Sequence, residues 1–182
     1  MRTRDTRTGY GWISIALHWT TAIVVLTLWF VGSSIHADIA TQEATLRLHT
    51  SIAITAYVLL WARVIWRLKI GHPGPLPGQA GIFYQLGKYT HYGMCIAIGA
   101  MLISGPLMVW ARGEVIHVWD WFAIPGPVPA GMDFFDIVHE VHVWCSRFII
   151  VATALHIGGV YKHAAFNQDG TFGKMLAPAR EE

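Results

Sequence analysis

Ten histidines stand in a chain of 182 residues, and four of them are spaced to act as axial metal ligands. His142 and His156 lie fourteen residues apart, close to four turns of a 3.6-residue helix, so both rings leave one helix face about 21 Å apart. His18 falls early in the first apolar stretch and His49 at the start of the second. In a chain that reverses direction at each crossing, they lie at opposite depths. Two layers follow, His18 opposite His156 and His49 opposite His142. Opposed imidazoles give a low-spin iron two nitrogen ligands and leave no open position for oxygen, which is electron-transfer chemistry. His139 is a rival to His142, but seventeen residues from His156 turns it about 100° off the shared face. A single such histidine would more simply hydrogen-bond a neighbouring helix. Four ionisable groups at matching depths in apolar segments point instead to a functional site.

The elements that must carry these residues are membrane helices. The composition is 54% hydrophobic and only 13% charged, with net charge +2 and mean hydropathy +0.43, which excludes the strong basic footprint of a nucleic-acid partner. Spans are expected at about 12–35, 48–66, 89–111 and 141–161, each near the 20 or so residues that a bilayer core requires. The first and third contain no Asp, Glu, Lys or Arg, the second only Arg63 and the fourth only Arg147. The first is too long for the apolar core of a signal peptide and is read as an anchor. The fold expected is therefore all-α, a single domain over 1–182 forming a membrane-spanning four-helix bundle. Arg63 and Arg147 are expected to snorkel or to pair with haem propionates.

Orientation follows from the basic residues. Segments 1–11, 67–88 and 162–182 hold Arg2, Arg4, Arg7, Arg67, Lys69, Lys88, Lys162, Lys174 and Arg180, against only Arg47 and Arg112 in 36–47 and 112–140. Both termini should face the cytoplasm. The Gly- and Pro-rich run from Gly71 to Gly78 is a helix-breaking turn. Segment 112–136, rich in Trp, Pro and Gly, should fold over the outer mouth, with Trp110, Trp119 and Trp121 in an interfacial aromatic belt. Cys95 and Cys145 form no CxxC pair and read as small buried hydrophobes, so neither a disulfide nor covalent haem attachment is expected.

The motifs Ala16-Leu17-His18-Trp19, Arg47-Leu48-His49, His142 and Ala154-Leu155-His156, in this order and spacing, resemble the bacterial cytochrome b561 family. Trp66-Arg67-Leu68-Lys69, His91, Gly105-Pro106, His163, Asp169-Gly170-Thr171 and Met175-Leu176 extend the resemblance over nearly the whole chain. It implies two haem b groups, residence in the bacterial inner membrane among its lipids, and electron exchange with ubiquinone. It also brings in the superoxide oxidase activity of a similar bacterial member, in which superoxide is oxidised outside and quinone reduced. His163 matches the histidine associated there with the quinone. From the residues alone, His91 and His163 both lie near the cytoplasmic rim, where imidazoles titrate in the range needed to pass protons to a quinone.

Segments 36–47 and 112–140 hold seven acids, Asp38, Glu43, Glu114, Asp120, Asp133, Asp136 and Glu140, against Arg47 and Arg112. Such a surface should repel superoxide and suit a basic redox protein or a docked dehydrogenase. The leading expectation is a di-haem quinone oxidoreductase with an outer-face donor, superoxide among the possibilities. The alternative is a cytochrome b subunit relaying electrons for a larger dehydrogenase or respiratory complex. A haem-free transporter is disfavoured because the spans lack buried carboxylates for a relay.

Overall fold

The computed structural model describes residues 3–7, 9–35, 39–75, 81–127, 131–167 and 170–178. Arg2, Asp38, Asp169, Arg180 and the end of the expected turn at 76–78 lie outside them. The elements are α1 (Trp12–Ser34), α2 (Gln42–Thr55), α3 (Tyr57–Ile70), α4 (Gly81–Ala111), a hairpin of β1 (Ile116–Val118) and β2 (Phe122–Ile124), and α5 (Met132–Lys162). α1, α4 and α5 are each long and apolar enough to cross a membrane, and α2 with α3 forms a fourth candidate span bent by 51° at Ala56. Large apolar side chains such as Phe30, Val58, Ile96 and Leu155 point outward, as lipid-facing surfaces require.

Three helices extend beyond their expected spans. α2 begins at Gln42, α4 at Gly81 and α5 at Met132, because polar residues there end the hydropathy signal without ending the helix. Asp133 in the first turn of α5 complements the helix dipole. His49 therefore stands two turns inside α2 and does not open it, and His91 lies three turns inside α4.

The bend at Ala56 contains neither proline nor glycine. Thr55 Oγ1 donates to the Ser51 carbonyl at 2.8 Å, a back-bond of the kind that bends helices. The hairpin docks on that bend: Trp119 N–H donates to Ser51 Oγ at 2.8 Å and its indole N–H to Thr55 Oγ1 at 3.0 Å. Trp119 holds a φ of 50°, a left-handed conformation costing roughly 1–3 kcal/mol in a bulky residue, and these two bonds retain it. Segment 112–136 thus carries a strand pair packed on α2, with the Trp110 indole N–H reaching the Ile124 carbonyl at 3.4 Å.

At the opposite end the N-terminal segment caps α1. Asp5 accepts from Gly11 N–H and from Ser14 Oγ, each at 2.8 Å, and Ser14 Oγ in turn accepts from the Trp66 indole at 2.8 Å. Gly11 is needed there, since a Cβ would lie 2.5 Å from the backbone of Arg4. The C-terminal tail folds back as well, with the Trp19 indole N–H donating to the Met175 carbonyl at 2.9 Å. Between the two ends, Leu60, Val64, Ala97, Ile98, Leu102 and Ile149 form the buried core, with Val24, Leu28 and Trp61 packed against it.

Candidate functional site

α1 runs away from the chain's terminal end and α5 runs back to it, which sets His18 beside His156. Their ring centroids are 6.2 Å apart with planes at 70°. At the hairpin end α2 and α5 bring His49 and His142 to 6.5 Å at 72°. Two imidazoles bound through one nitrogen each to opposite sides of one metal, with bonds of about 2 Å, place their centroids roughly 6 Å apart. Both pairs therefore have a spacing at which the two rings would be able to hold one iron between them. The residues fit a haem.

Further groups shape the hairpin-end layer. Ser104 Oγ, on α4 and almost fully buried, lies 3.0 Å from His142 Nδ1. That contact occupies Nδ1, so Nε2 is the atom that would be free to hold a metal, and it restrains the ring's rotation. Glycines lie behind both rings. A Cβ on Gly32 would come within 3.1 Å of His49 Cε1, and one on Gly105 within 3.4 Å of His142 Cε1. His139 turns away, stacking on Phe135 at 5.5 Å with Nδ1 3.9 Å from Glu140.

The terminal-end layer is more crowded. His91 packs edge-on against His156 at 4.7 Å and stands 6.3 Å from His18 at 31°, so it is a second possible partner for His18 by spacing. His72, in the turn after α3, meets His91 at 5.3 Å and Tyr92 at 5.1 Å. Both nitrogens of His72 are buried without a described partner. Burial, then the charges of Arg67, Arg63 and Lys88, push its pKa down to about 3. Tyr10, over which Arg67 stacks at 5.1 Å, is pushed up, chiefly by burial. A cavity of about 540 Å³ opens here, lined by His18, His91, His156 and His163 and by Phe172 and Met175 of the tail.

His91 was expected at a water-facing rim, but its ring lies within this histidine cluster, because α4 begins two turns before the apolar segment. His163 follows α5 at the cavity wall, where Asn167 Nδ2 lies 3.2 Å from its Nδ1. The two arginines of the spans part company. Arg63 is 4% exposed, whereas Arg147 faces outward and lies 4.9 Å over the Trp144 ring. Ser104, Gly32 and His72 are site residues that sequence reasoning missed. The signals were a lone serine and lone glycines in apolar helices, and a histidine inside a turn motif, none of which names its partner.

The family described as prokaryotic cytochrome b561 matches residues 9–178. Cytochrome b561 homolog 2 of Escherichia coli (strain K12) is 32% identical over 178 residues, covering 95% of this chain and 94% of that relative.

Proposed function

Because the chain belongs to the prokaryotic cytochrome b561 family, of membrane haem b electron-transfer proteins, we propose that it carries two haems and passes electrons from an outer-face donor to membrane quinone. The observation that carries this reading is the pair of histidine spacings, 6.2 and 6.5 Å, at two depths of the same helices. In this reading the protein is a four-helix bundle of the bacterial inner membrane with both termini cytoplasmic. His18 and His156 hold the inner haem, and His49 and His142 the outer one. Bound between such pairs, haem b supplies reversible one-electron chemistry with no site for oxygen.

The residues of the inner cavity suit a quinone such as ubiquinone. Asn167 Nδ2–H donates to His163 Nδ1 at 3.2 Å, which puts the proton of the neutral ring on Nε2, where it can be given to a quinone carbonyl. His91 links that cavity to the inner pair through its contact with His156. At the outer face Arg47 pairs with the still more exposed Asp120 at 3.3 Å, and Arg112 lies 4.6 Å over the Phe135 ring. The exposed acids Asp120 and Glu140 favour a basic redox protein or a docked dehydrogenase as donor, with superoxide the weaker candidate.

The experiment is a reduced-minus-oxidised spectrum with pyridine haemochrome quantitation on mildly extracted protein, followed by reoxidation with a soluble quinone analogue. Two haem b per chain is the expected result. Replacing His91 and His163 together by Ala should slow quinone reoxidation and leave electron entry from the outer side unchanged. One haem or none, or wild-type reoxidation in the double variant, overturns the corresponding half of the reading.

A further inference from the structure

α3 carries two arginines one turn apart, and both are inside the protein: Arg63 is 4% exposed and Arg67 fully buried. Their only described carboxylate is Asp5, 4.0 Å from Arg67 Nη1. Arg67 also donates to the Gly71 carbonyl, but its Nε and Nη2 have no described hydrogen-bond partner, and neither has Arg63 Nη1. Two guanidiniums therefore share one described carboxylate inside the protein. Among the described residues, Arg67, Cys95, Tyr10 and Asp5 lie near enough to act electrostatically on Arg63. A net positive charge remains there.

That charge is placed on one side of the molecule. Arg63 stands seven residues before the end of α3 and His18 six residues after the start of α1, so the two lie at one depth. Arg63 and Arg67 both act on the ring of His18, and Arg67 also on His91. At the other layer the groups acting on His142 are His49 and His139, and on His49 the Leu28 carbonyl. The acids Asp136 and Glu140 sit on the same helix as His142, within two turns of it. His18 of the inner pair, with His91 beside it, therefore feels a cationic field, and no arginine or lysine among the described residues acts in this way on His49 or His142.

We propose that Arg63, supported by Arg67, is an electrostatic positioning residue that makes the inner haem the higher-potential one and so sets electron flow inward, from the outer face to the quinone. The inference rests on the di-haem reading above and adds its direction. Reduction of a ferric haem adds one negative charge, and a fixed cation in a low-dielectric interior stabilises the reduced form. A unit charge about 10 Å away at an effective dielectric of about 20 changes such an equilibrium by roughly tenfold. With haem bound at both pairs, Arg63 would favour residence of the electron at the inner pair, with the outer haem reoxidised by the same transfer. No proton is exchanged in that step.

The test is a spectroelectrochemical titration of purified holoprotein. His142→Ala retains only the inner haem and His156→Ala only the outer, which gives each midpoint its owner. The inner haem should titrate above the outer. Arg63→Gln should lower the inner midpoint by roughly the tenfold shift, about 59 mV for one electron, with the outer midpoint unmoved. Arg63→Lys, which keeps the charge, should stay near wild type, an outcome that a merely structural role for the side chain would not give. An inner haem below the outer in the single-haem proteins overturns the inference whether or not Arg63→Gln folds. An unmoved inner midpoint in a folded Arg63→Gln protein does so too. Haem count separates the two failures: two haems in the wrong order sink this inference alone, and fewer than two sink the di-haem reading with it.

Discussion

Ser104 Oγ stands 3.0 Å from Nδ1 of His142, a hydrogen bond that ties α4 to α5 at the histidine layer beside the hairpin. Were Nε2 to hold iron, Nδ1–H would donate to the serine oxygen, which would restrain the ring from rotating about its bond to the helix. Removing such a partner commonly costs 10–100-fold in metal affinity. Ser104→Ala should therefore weaken retention of the outer haem within that range and leave the inner haem in place. Ser104→Thr, which keeps the hydroxyl, should restore it. Haem content after graded detergent washing measures both.

Gly32 and Gly105 should differ in their tolerance of a methyl group. A Cβ at Gly32 would meet His49 Cε1 at 3.1 Å and Nδ1 at 3.2 Å, so the ring must give way. At Gly105 the nearest atoms of His142 would be 3.4 and 3.8 Å off, ordinary contacts. Alanine is otherwise favoured over glycine within a helix by roughly 0.5–1 kcal/mol. Gly32→Ala should displace His49 and reduce outer-haem occupancy several-fold, while Gly105→Ala should leave it near wild type. Equal losses in the two variants would show that the close approach to His49 is not what the glycine provides.

Spacing alone allows His18 to pair with either His156 or His91, at 6.2 and 6.3 Å. Ring orientation separates them, being 70° for His156 and 31° for His91. Nearly perpendicular imidazoles leave two iron d orbitals close in energy and give a strongly anisotropic low-spin EPR signal, whereas nearly parallel rings give a rhombic one. Both ferric haems here should show the anisotropic type. His156→Ala should abolish the inner haem's signal and His91→Ala should retain it. A rhombic inner signal that disappears in His91→Ala would move the ligand to α4.

His72 should make the protein acid-sensitive. Its folded-state pKa is pushed down to about 3, from the ordinary imidazole value of 6.5, because burial and the charges of Arg67, Arg63 and Lys88 oppose protonation. Unfolding releases the ring to take up a proton at any pH below 6.5, so stability contributed by neutral His72 is fully present above 6.5 and is lost as pH falls toward about 3. The drop in Tm between pH 7 and pH 4 should be smaller for His72→Gln than for wild type, in the same detergent and with haem content matched. Identical pH profiles would refute the assignment.

Much of the arrangement was legible because it depends on one helix. The fourteen-residue interval between His142 and His156 needs only an unbroken α5, and the same phase argument turned His139 aside. The bend at Ala56 was not legible, since the back-bond from Thr55 to Ser51 leaves no signature in hydropathy and Trp119, which docks on it, lies more than sixty residues away. Hydropathy also misplaced His91. It marked where α4 becomes apolar, while the helix itself begins at Gly81 and carries that ring into the histidine cluster. The contrast between Arg63 and Arg147 was hidden for the same reason: each is a single charge in an apolar span, and only packing separates the buried one from the exposed one.

The core of Leu60, Val64, Ala97, Ile98, Leu102 and Ile149 separates the two histidine layers, and none of these side chains can pass a proton. If haem is held at both layers, an electron crossing this core would travel without a compensating proton, and the step would carry net charge through the membrane's electric field. The layers are about 21 Å apart in a hydrocarbon core of about 30 Å, and a full crossing at 100 mV is worth about 2.3 kcal/mol, which leaves roughly 1.5 kcal/mol for this step. With the cell interior negative, that voltage opposes inward transfer by about tenfold, comparable in size to the pull of the buried guanidinium. The energised membrane would thus hold the two haems close to balance, and collapse of the voltage would release electrons toward the quinone.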